Sequence, residues 1–114
     1  MGFLDQFKVD NAHREIDVDA VATAIDADSH TILDVREQDE WDEAHIEQSV
    51  HIPLGDLALR AGELPKDKPI YTVCRSGRRS LTAIDILDGA DLTGAKSLAG
   101  GVIAWYEAGK PLVR

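Results

Sequence analysis

From residue 16 onward, short apolar runs alternate with stretches in which apolar residues recur at helical spacing. The apolar runs are rich in β-branched residues and predict buried strands at 31–35, 49–54, 69–73 and 95–101. The helical stretches are 16–26, 36–44, 54–64, 78–89 and 101–111. This alternation predicts a single α/β domain whose central sheet is mostly parallel, with about five strands and with helices on both faces.

Capping residues mark the ends of several predicted helices. Asp17 is a suitable N-cap for the first helix, Gly89 closes the fourth, and Pro111 stops the last. The residues of the first helix that are predicted to face inward are Val18, Val21, Ala22 and Ile25. Those of the fourth helix are Leu81, Ala83, Ile84 and Leu87. Residues 1–14 are polar and weakly patterned, so we expect a loose N-terminal arm before one domain at 15–114.

Composition narrows the partners that such a domain could have. The chain has 114 residues and a formal net charge of −9, which argues against nucleic-acid binding and against anionic membrane surfaces. Asp outnumbers Glu by 14 to 7, which fits ordinary solubility or a salt-rich cytoplasm. Cys74 is the only cysteine, so no internal disulfide can form. With neither a membrane-length apolar run nor a secretory signal at its start, the chain is expected in a reducing cytoplasm.

The segment "IYTVCRSGRRS" at 70–80 concentrates the candidate chemistry. Its strand delivers Cys74 to the carboxyl edge of the sheet, where backbone N–H groups and the start of the next helix favour negative charge. Gly77 permits the tight turn that this loop needs. We predict a thiolate nucleophile of lowered pKa in an anion-binding loop formed by Arg75, Ser76, Gly77, Arg78 and Arg79. The alternative is a small core cysteine followed by solvated basic residues.

Four segments resemble the rhodanese-like sulfurtransferases of the single-domain type. They are "ILDVRE" at 32–37, "WDEAHIEQSVHIPL" at 41–54, "CRSGRRS" at 74–80 and "LAGGVIAWYEAGKP" at 98–111. The third segment is similar to the Cys-x-x-Gly-x-Arg active-site loop of that family. The resemblance implies one rhodanese-like domain that transfers sulfur and needs no cofactor.

The resemblance also implies a mechanism. Cys74 would attack the outer sulfur of thiosulfate, or of another sulfane donor, and become a persulfide whose sulfur passes to cyanide or to a thiol in two steps. The N–H groups of residues 75–79 would hold the anionic sulfur, and Arg75 would contact the sulfonate of the donor. Arg79 would be partly structural. A sulfur-carrier protein is a further partner that the resemblance allows.

Two departures from the family pattern bear on the site. Ala44, Glu47, Gln48 and Ser49 stand where the family has two glycines, a proline and an alanine, so the turn beside the site must be built differently. Glu40 stands where two-domain thiosulfate enzymes carry an arginine, which leaves the choice of donor open.

Other functions remain open on the sequence. Dual-specificity phosphatases of a related fold use Cys-x5-Arg, whereas Ser80 occupies the sixth position after Cys74 and Arg79 falls one residue short. A Cys-based phosphatase is therefore disfavoured, and an arsenate reductase would lack a second cysteine to resolve its intermediate. A third interpretation is a rhodanese-like docking module, although such modules commonly lose the loop cysteine. The sequence does not distinguish an enzyme from a carrier that receives its persulfide sulfur from a cysteine desulfurase.

Several conspicuous residues have structural interpretations. Asp34 and Arg36 are expected to form an ion pair near a strand end, with support of catalysis as the lesser alternative. His45 is the one histidine that could line the mouth of the site, and the spacing of the four histidines fits no compact metal motif. Trp41 and Trp105 are interpreted as core and packing residues. The glycines of "LAGG" fit close packing better than a phosphate loop.

Overall fold

Five strands form one sheet in the computed structural model, which describes residues 12–114. The strands are β1 (Glu15–Ile16), β2 (Thr31–Asp34), β3 (Val50–His51), β4 (Ile70–Val73) and β5 (Lys96–Leu98). Their order across the sheet is β1-β5-β4-β2-β3, and every neighbouring pair runs parallel. The predicted mostly parallel sheet is confirmed, with β4 at its centre.

Among residues 12–114, four α-helices connect successive strands and a fifth follows β5, and all five follow the predicted helical stretches closely. They are α1 (Val18–Ala27), α2 (Gln38–Glu43), α3 (Leu54–Arg60), α4 (Arg78–Gly89) and α5 (Gly101–Glu107). Asp17 is the N-cap of α1, since its carboxylate accepts the N–H of Ala20 at 2.9 Å. No helix among residues 12–114 is both long and apolar enough to cross a membrane.

The core has two layers, one on each face of the sheet. One layer contains Leu57 of α3 and the α4 residues Ala83, Ile84 and Leu87. The other contains Val21 of α1 and Trp105 of α5. Adjacent strand residues alternate between the two, with Leu33 in the first layer and Ile32 in the second, as the period of a strand requires. The prediction of helices on both faces is therefore confirmed.

The edge strand β1 is a feature that the sequence pattern does not locate. It consists only of Glu15 and Ile16, which pair with Ser97 and Leu98 of β5. The pattern instead assigns Ile16 to the start of the first helix. Two residues are too few to show the alternation that identifies a strand, so only the pairing with β5 defines this one.

The predicted N-terminal arm falls mostly outside the described residues, and for residues 1–11 it stays a prediction. Residues Ala12–Arg14 form one turn of 3-10 helix that contacts the domain. The guanidinium of Arg14 donates to the carboxylate of Asp85 in α4 at 2.7 Å, and the ammonium of Lys96 donates to the carbonyl of His13. These last residues of the segment therefore lie against the sheet and α4.

Candidate active site

The sequence-predicted loop lies at the carboxyl end of the central strand. Cys74 follows β4 directly, and α4 begins at Arg78 with Gly77 as its N-cap residue. Gly77 has a φ of +105°, in the left-handed region that favours glycine. The chain therefore turns from strand to helix within four residues, at the sheet edge where parallel α/β proteins bind their ligands.

The sulfur of Cys74 is buried and is the target of hydrogen-bond donors. The residue is 1 % exposed, and its sulfur accepts the N–H of Gly77 at 3.1 Å. The Ser80 hydroxyl oxygen lies 3.4 Å from the same sulfur. Burial therefore does not leave the thiol in a purely apolar environment, because donors from the loop and from the first turn of α4 point at it.

These contacts decide the ionisation of the thiol. Burial raises the pKa of Cys74, but hydrogen bonds from the Ser80 hydroxyl and from the N–H groups of Ser80, Gly77 and Ser76 outweigh it, so the net pKa is lowered. The predicted direction is confirmed. The backbone N–H groups lower the pKa as expected, the Ser80 hydroxyl is an additional cause, and the nearby arginines are not among the main causes.

Two of the N–H groups that reach the sulfur lie within the predicted range of 75–79, and the third lies one residue beyond it. The N–H groups that reach the sulfur belong to Ser76, Gly77 and Ser80. Ser80 is the contact of the Cys74 sulfur that the sequence interpretation missed. Helical spacing could have identified it, because Ser80 lies one turn before the inward-facing Ile84 and therefore belongs to the buried face of α4.

The three arginines of the loop have different environments. Arg75 and Arg78 are exposed. Arg79 is two-thirds buried and donates two hydrogen bonds to the carboxylate of Glu40, at 2.6 and 2.9 Å. This hydrogen-bonded pairing lowers the pKa of Glu40 to about 2. The charge of Arg79 is therefore compensated within the protein, as its expected structural role requires.

The predicted ion pair between Asp34 and Arg36 is present and buried. The guanidinium Nη2 of Arg36 lies 2.8 Å from Asp34 Oδ2, and both side chains are less than a tenth exposed. Arg36 also donates to the carbonyl oxygens of Ala44, at 2.7 Å, and of Glu40, at 3.3 Å. The pair therefore connects the end of β2 to α2, the helix that carries the partner of Arg79.

Two consecutive glycines allow α5 to pack directly against the loop. A Cβ on Gly101 would lie 2.3 Å from the carbonyl oxygen of Cys74, closer than any real contact. Without that Cβ, the N–H of Val102 donates to this carbonyl at 2.8 Å, and the N–H of Ile103 donates to that of Arg75 at 3.1 Å. The close-packing interpretation of the "LAGG" glycines is confirmed, with the loop that follows β4 as the packing partner.

A cavity of about 260 Å³ lies beside the loop. Four charged side chains line it, namely Arg36, Glu40, Glu43 and Arg75. The rest of the lining is mostly apolar and consists of Ala44, Val102, Ile103, Tyr106 and Leu112. Among the residues of the loop, Arg75 alone belongs to this lining, and Cys74 does not. A ligand in the cavity would therefore contact Arg75 and the apolar side chains of α5.

His45 and Trp41 belong to a stack of rings rather than to the loop or the core. The ring of Trp41 stacks on His45 at 3.6 Å between centroids and on His51 at 4.8 Å. Trp41 is half-buried and lies outside both core layers, which corrects its assignment to the core, whereas Trp105 is a core residue. His45 binds the carbonyl of Trp41 and pairs with Val113, so its contacts in the described structure are structural.

The turn that departs from the family pattern is closed by its own serine. Ser49 donates its N–H at 3.0 Å, and its hydroxyl at 2.6 Å, to the carbonyl oxygen of Ile46. Ala44 at its start has extended backbone with a φ of −169°, which needs no glycine. The serine that departs from the family pattern thus closes the turn, and its difference from the turn of the family stays a prediction.

Together these features define a class: a parallel α/β domain with one free cysteine in a loop between its central strand and the following helix, where backbone N–H groups point at the sulfur. The chain belongs to the family of rhodanese-like domains, whose family model matches residues 17–108.

Relatives in bacteria carry sulfur-transfer names. YtwF of Bacillus subtilis, named as a candidate sulfurtransferase, is 37% identical over 99 residues, which cover 86% of this chain and 95% of YtwF. A sulfurtransferase of Allochromatium vinosum is 31% identical over 87% of this chain and 94% of its own. YrkF of Bacillus subtilis, named as a candidate sulfur carrier, is 51% identical over 67 residues, which cover 58% of this chain and 36% of YrkF.

Solved structures agree with this family. The crystal structure of a rhodanese-related protein from Thermoplasma volcanium has a TM-score of 0.79 at 32% identity, covering 88% of this chain and 97% of that one. The solution structure of the rhodanese-like domain of an Anabaena protein has a TM-score of 0.79 at 27% identity, covering 88% of this chain and 78% of that one. The rhodanese-like fold predicted from the four segments is confirmed.

Proposed function

We propose that this protein is a sulfurtransferase in which Cys74 forms a persulfide. The thiolate attacks the outer sulfur of a sulfane donor and forms a new S–S bond. The S–S bond of the donor breaks, and its electron pair leaves with the remainder of the donor molecule. A thiol or cyanide then attacks the outer sulfur, and Cys74 departs as a thiolate. The sulfur passes from donor to acceptor with no external oxidant or reductant, and no cofactor is required.

One observation carries this proposal: donors converge on a sulfur atom that is otherwise buried. A core cysteine needs no hydrogen bonds, whereas Cys74 is surrounded by N–H groups of Ser76, Gly77 and Ser80 and by the Ser80 hydroxyl. Such an arrangement stabilises a thiolate and, after the first step, the negative charge of a persulfide. It therefore supports a reactive cysteine over a packing residue.

The charges near the site favour an organic persulfide over thiosulfate as the donor. Thiosulfate is a dianion, and the cavity beside the loop contains the carboxylates of Glu40 and Glu43. Arg79 is already paired with Glu40, which leaves Arg75 as the loop cation that faces the cavity. The apolar wall of Ile103 and the neighbouring residues suits the carbon skeleton of a persulfide better than a sulfonate.

Mass spectrometry of the intact protein tests the proposal directly. After incubation with a low-molecular-weight persulfide, and separately with thiosulfate, we expect the mass of one additional sulfur atom on Cys74. Because the chain has a single cysteine, any added sulfur that dithiothreitol removes reports this residue alone. The persulfide should load Cys74 at lower concentration than thiosulfate does.

The matched control is Cys74→Ser, which is close in volume to the native residue and should fold with nearly unchanged stability. It should gain no sulfur and transfer none. Sulfur transfer by this variant, or a native protein that gains no sulfur from either donor, would contradict the assignment. A phosphate ester tested in parallel distinguishes the phosphatase alternative, which predicts hydrolysis that depends on Cys74.

A persulfide carrier is the second candidate, favoured by the name of YrkF and by the burial of Cys74. A carrier would accept one sulfur per molecule from a desulfurase and release it only to a specific protein. Multiple turnovers with small thiols as acceptors would support the enzyme, whereas stoichiometric loading without turnover would support the carrier. Both functions need a reduced thiol, so we expect a cytoplasmic protein in either case.

A further inference from the structure

A buried serine on a neighbouring strand contacts the nucleophile through a second serine. Ser97 lies in the middle of β5 and is fully buried. Its hydroxyl oxygen is 2.6 Å from that of Ser80, which in turn lies 3.4 Å from the sulfur of Cys74. A chain of two hydroxyl groups therefore runs from the sheet to the sulfur.

The direction of this chain follows from the number of protons. Ser80 has one hydroxyl proton and two neighbours, the sulfur of Cys74 and the oxygen of Ser97. While Cys74 is a neutral thiol, its S–H can donate to Ser80, and Ser80 can donate onward to Ser97. Once Cys74 is a thiolate, Ser80 must turn its proton to the sulfur, and its oxygen then accepts the proton of Ser97.

Ser97 is the group that makes the second arrangement favourable. A serine in a helix can also direct its hydroxyl to a carbonyl of the preceding turn, and that contact competes with a bond to the sulfur. When Ser97 donates across the 2.6 Å between the two hydroxyl oxygens, the Ser80 oxygen is the acceptor, so the Ser80 proton points away from Ser97 and is available to the sulfur. The hydroxyl of a buried strand residue thus favours the direction of the Ser80 O–H that stabilises the thiolate.

We propose that Ser97 is a positioning residue for the Cys74 nucleophile, holding the Ser80 hydroxyl with its proton directed at the sulfur. This inference rests on the proposed function, in which Cys74 is the nucleophile. Ser97 does not touch the sulfur and acts only through Ser80. It lies in β5, 17 residues along the chain from Ser80 and outside the active-site loop.

Thr72 provides a matched control because it is equally buried and also bonds Ser80. Its hydroxyl donates to the main-chain carbonyl of Ser80 at 2.8 Å, not to the Ser80 side chain. Thr72→Val therefore removes a buried hydroxyl beside the same residue without breaking the hydroxyl chain. A purely structural role of Ser97 predicts that Ser97→Ala and Thr72→Val behave alike.

The test measures the rate of alkylation of the single thiol by iodoacetamide as a function of pH, with the thermal midpoint recorded for each variant. In Ser97→Ala we expect the alkylation rate at pH 7 to fall about three- to tenfold, with the pH profile displaced upward, because the thiolate loses part of its hydrogen bonding. Ser97→Thr retains a hydroxyl and should restore the native profile. Thr72→Val should lower the thermal midpoint and leave the profile in place.

An unchanged pH profile in Ser97→Ala would overturn the inference, as would an equal displacement in Thr72→Val. If Ser97→Ala fails to fold, Ser97→Thr and Ser97→Val provide the same comparison, since they share a shape and differ in the hydroxyl alone. The alkylation rate reports the ionisation of the Cys74 thiol and does not depend on persulfide formation. A displaced profile in a protein that forms no persulfide would therefore refute the proposed function and leave the role of Ser97 standing.

Discussion

At the scale of single residues, charge in the loop is distributed less evenly than three arginines within residues 75–79 suggest. Arg79 is committed to Glu40, while Arg75 and Arg78 are exposed and differ in position. Arg75 lines the cavity beside the loop, and Arg78 begins α4 without lining it. The two exposed arginines therefore allow a comparison of a charge that lines the cavity with one that does not.

Replacing Arg75 with alanine should weaken the use of anionic donors. We expect kcat/KM with thiosulfate to fall about threefold to tenfold, because an exposed guanidinium contributes a modest, solvent-screened attraction to an anion. Arg78→Ala, which removes the same charge outside the cavity, should change kcat/KM much less. Steady-state kinetics on both variants measure the difference. Equal losses would mean that only the overall charge of the loop matters to the donor.

The pair of Glu40 and Arg79 should make stability depend on acid pH in a defined window. The pKa of Glu40 is about 2 in the folded protein and is near its ordinary value when unfolded, so its stabilising contribution is complete above about pH 4.5. That contribution is lost as the pH falls from about 4.5 towards 2. The thermal midpoint of Glu40→Gln should lie below the native one at pH 7 and approach it in acid.

The control for this measurement is Glu43→Gln, on the same helix. Glu43 is exposed and has no salt bridge within residues 12–114, so this substitution should leave the acid dependence of the midpoint unchanged. A constant difference between Glu40→Gln and the native protein from pH 7 down to pH 2 would show that the ion pair contributes nothing to stability.

At the scale of elements, the position of the loop depends on how closely α5 approaches it. The N–H groups of Val102 and Ile103 donate to the carbonyl oxygens of Cys74 and Arg75, and Gly101 makes this approach sterically feasible. Since β4 and α4 hold the two ends of the loop, α5 supplies the third support. The loop is thus shaped by α5, which begins 27 residues after Cys74.

Adding one methyl group at this contact should displace the loop. Gly101→Ala places a Cβ 2.3 Å from the Cys74 carbonyl oxygen and also strains a backbone with a φ of +59°. The left-handed backbone alone costs about 1–3 kcal/mol, and the clash adds to that cost. We expect a lower thermal midpoint together with a loss of sulfur transfer and of fast alkylation.

Gly109→Ala separates the effect of backbone strain from that of the clash with the loop. Gly109 has a comparable φ of +76°, but a Cβ there would meet no atom within 4 Å. It should therefore lower the thermal midpoint through backbone strain and preserve the reactivity of Cys74. If both variants lose reactivity to the same extent, the contact between α5 and the loop does not shape the site.

At the scale of the whole molecule, the dominant electrostatic feature is the net charge of −9. The buried ion pair of Asp34 and Arg36 is shielded from solvent, whereas the excess carboxylates lie mostly on the surface and repel one another. Salt reduces this repulsion, since the Debye length shortens from about 10 Å at 0.1 M to about 3 Å at 1 M.

Raising the salt concentration should therefore stabilise the protein. Between 0.1 and 1 M KCl we expect the thermal midpoint to rise by about 2–5 °C, because relief of surface repulsion exceeds the weakening of the few exposed ion pairs. Differential scanning calorimetry at fixed pH measures the change. A midpoint that falls with salt would indicate that the exposed ion pairs outweigh the repulsion, and would speak against adaptation to a salt-rich cytoplasm.

Most of the fold could be derived from local pattern, because hydrophobic periodicity and capping residues act over a few positions of the chain. Asp17 caps α1 as its side chain dictates, and the continuous run at 69–73 forms the central strand β4. The position of Cys74 between that strand and α4 follows from the same reasoning. Gly77 could be recognised because so tight a turn needs a positive φ, here +105°, which glycine adopts readily.

The contacts that tune the site could not be derived in this way, because each joins residues far apart in the chain. Arg79 and Glu40 are 39 positions apart, and Ser80 and Ser97 are 17 apart. The edge strand β1 likewise exists only through its pairing with β5. Periodicity assigns a residue to a face of its own element, but only the packing of whole elements determines which side chain it meets there. The amino-acid pattern therefore placed Cys74 in the fold, and the three-dimensional arrangement decided which groups contact its sulfur and lower its pKa.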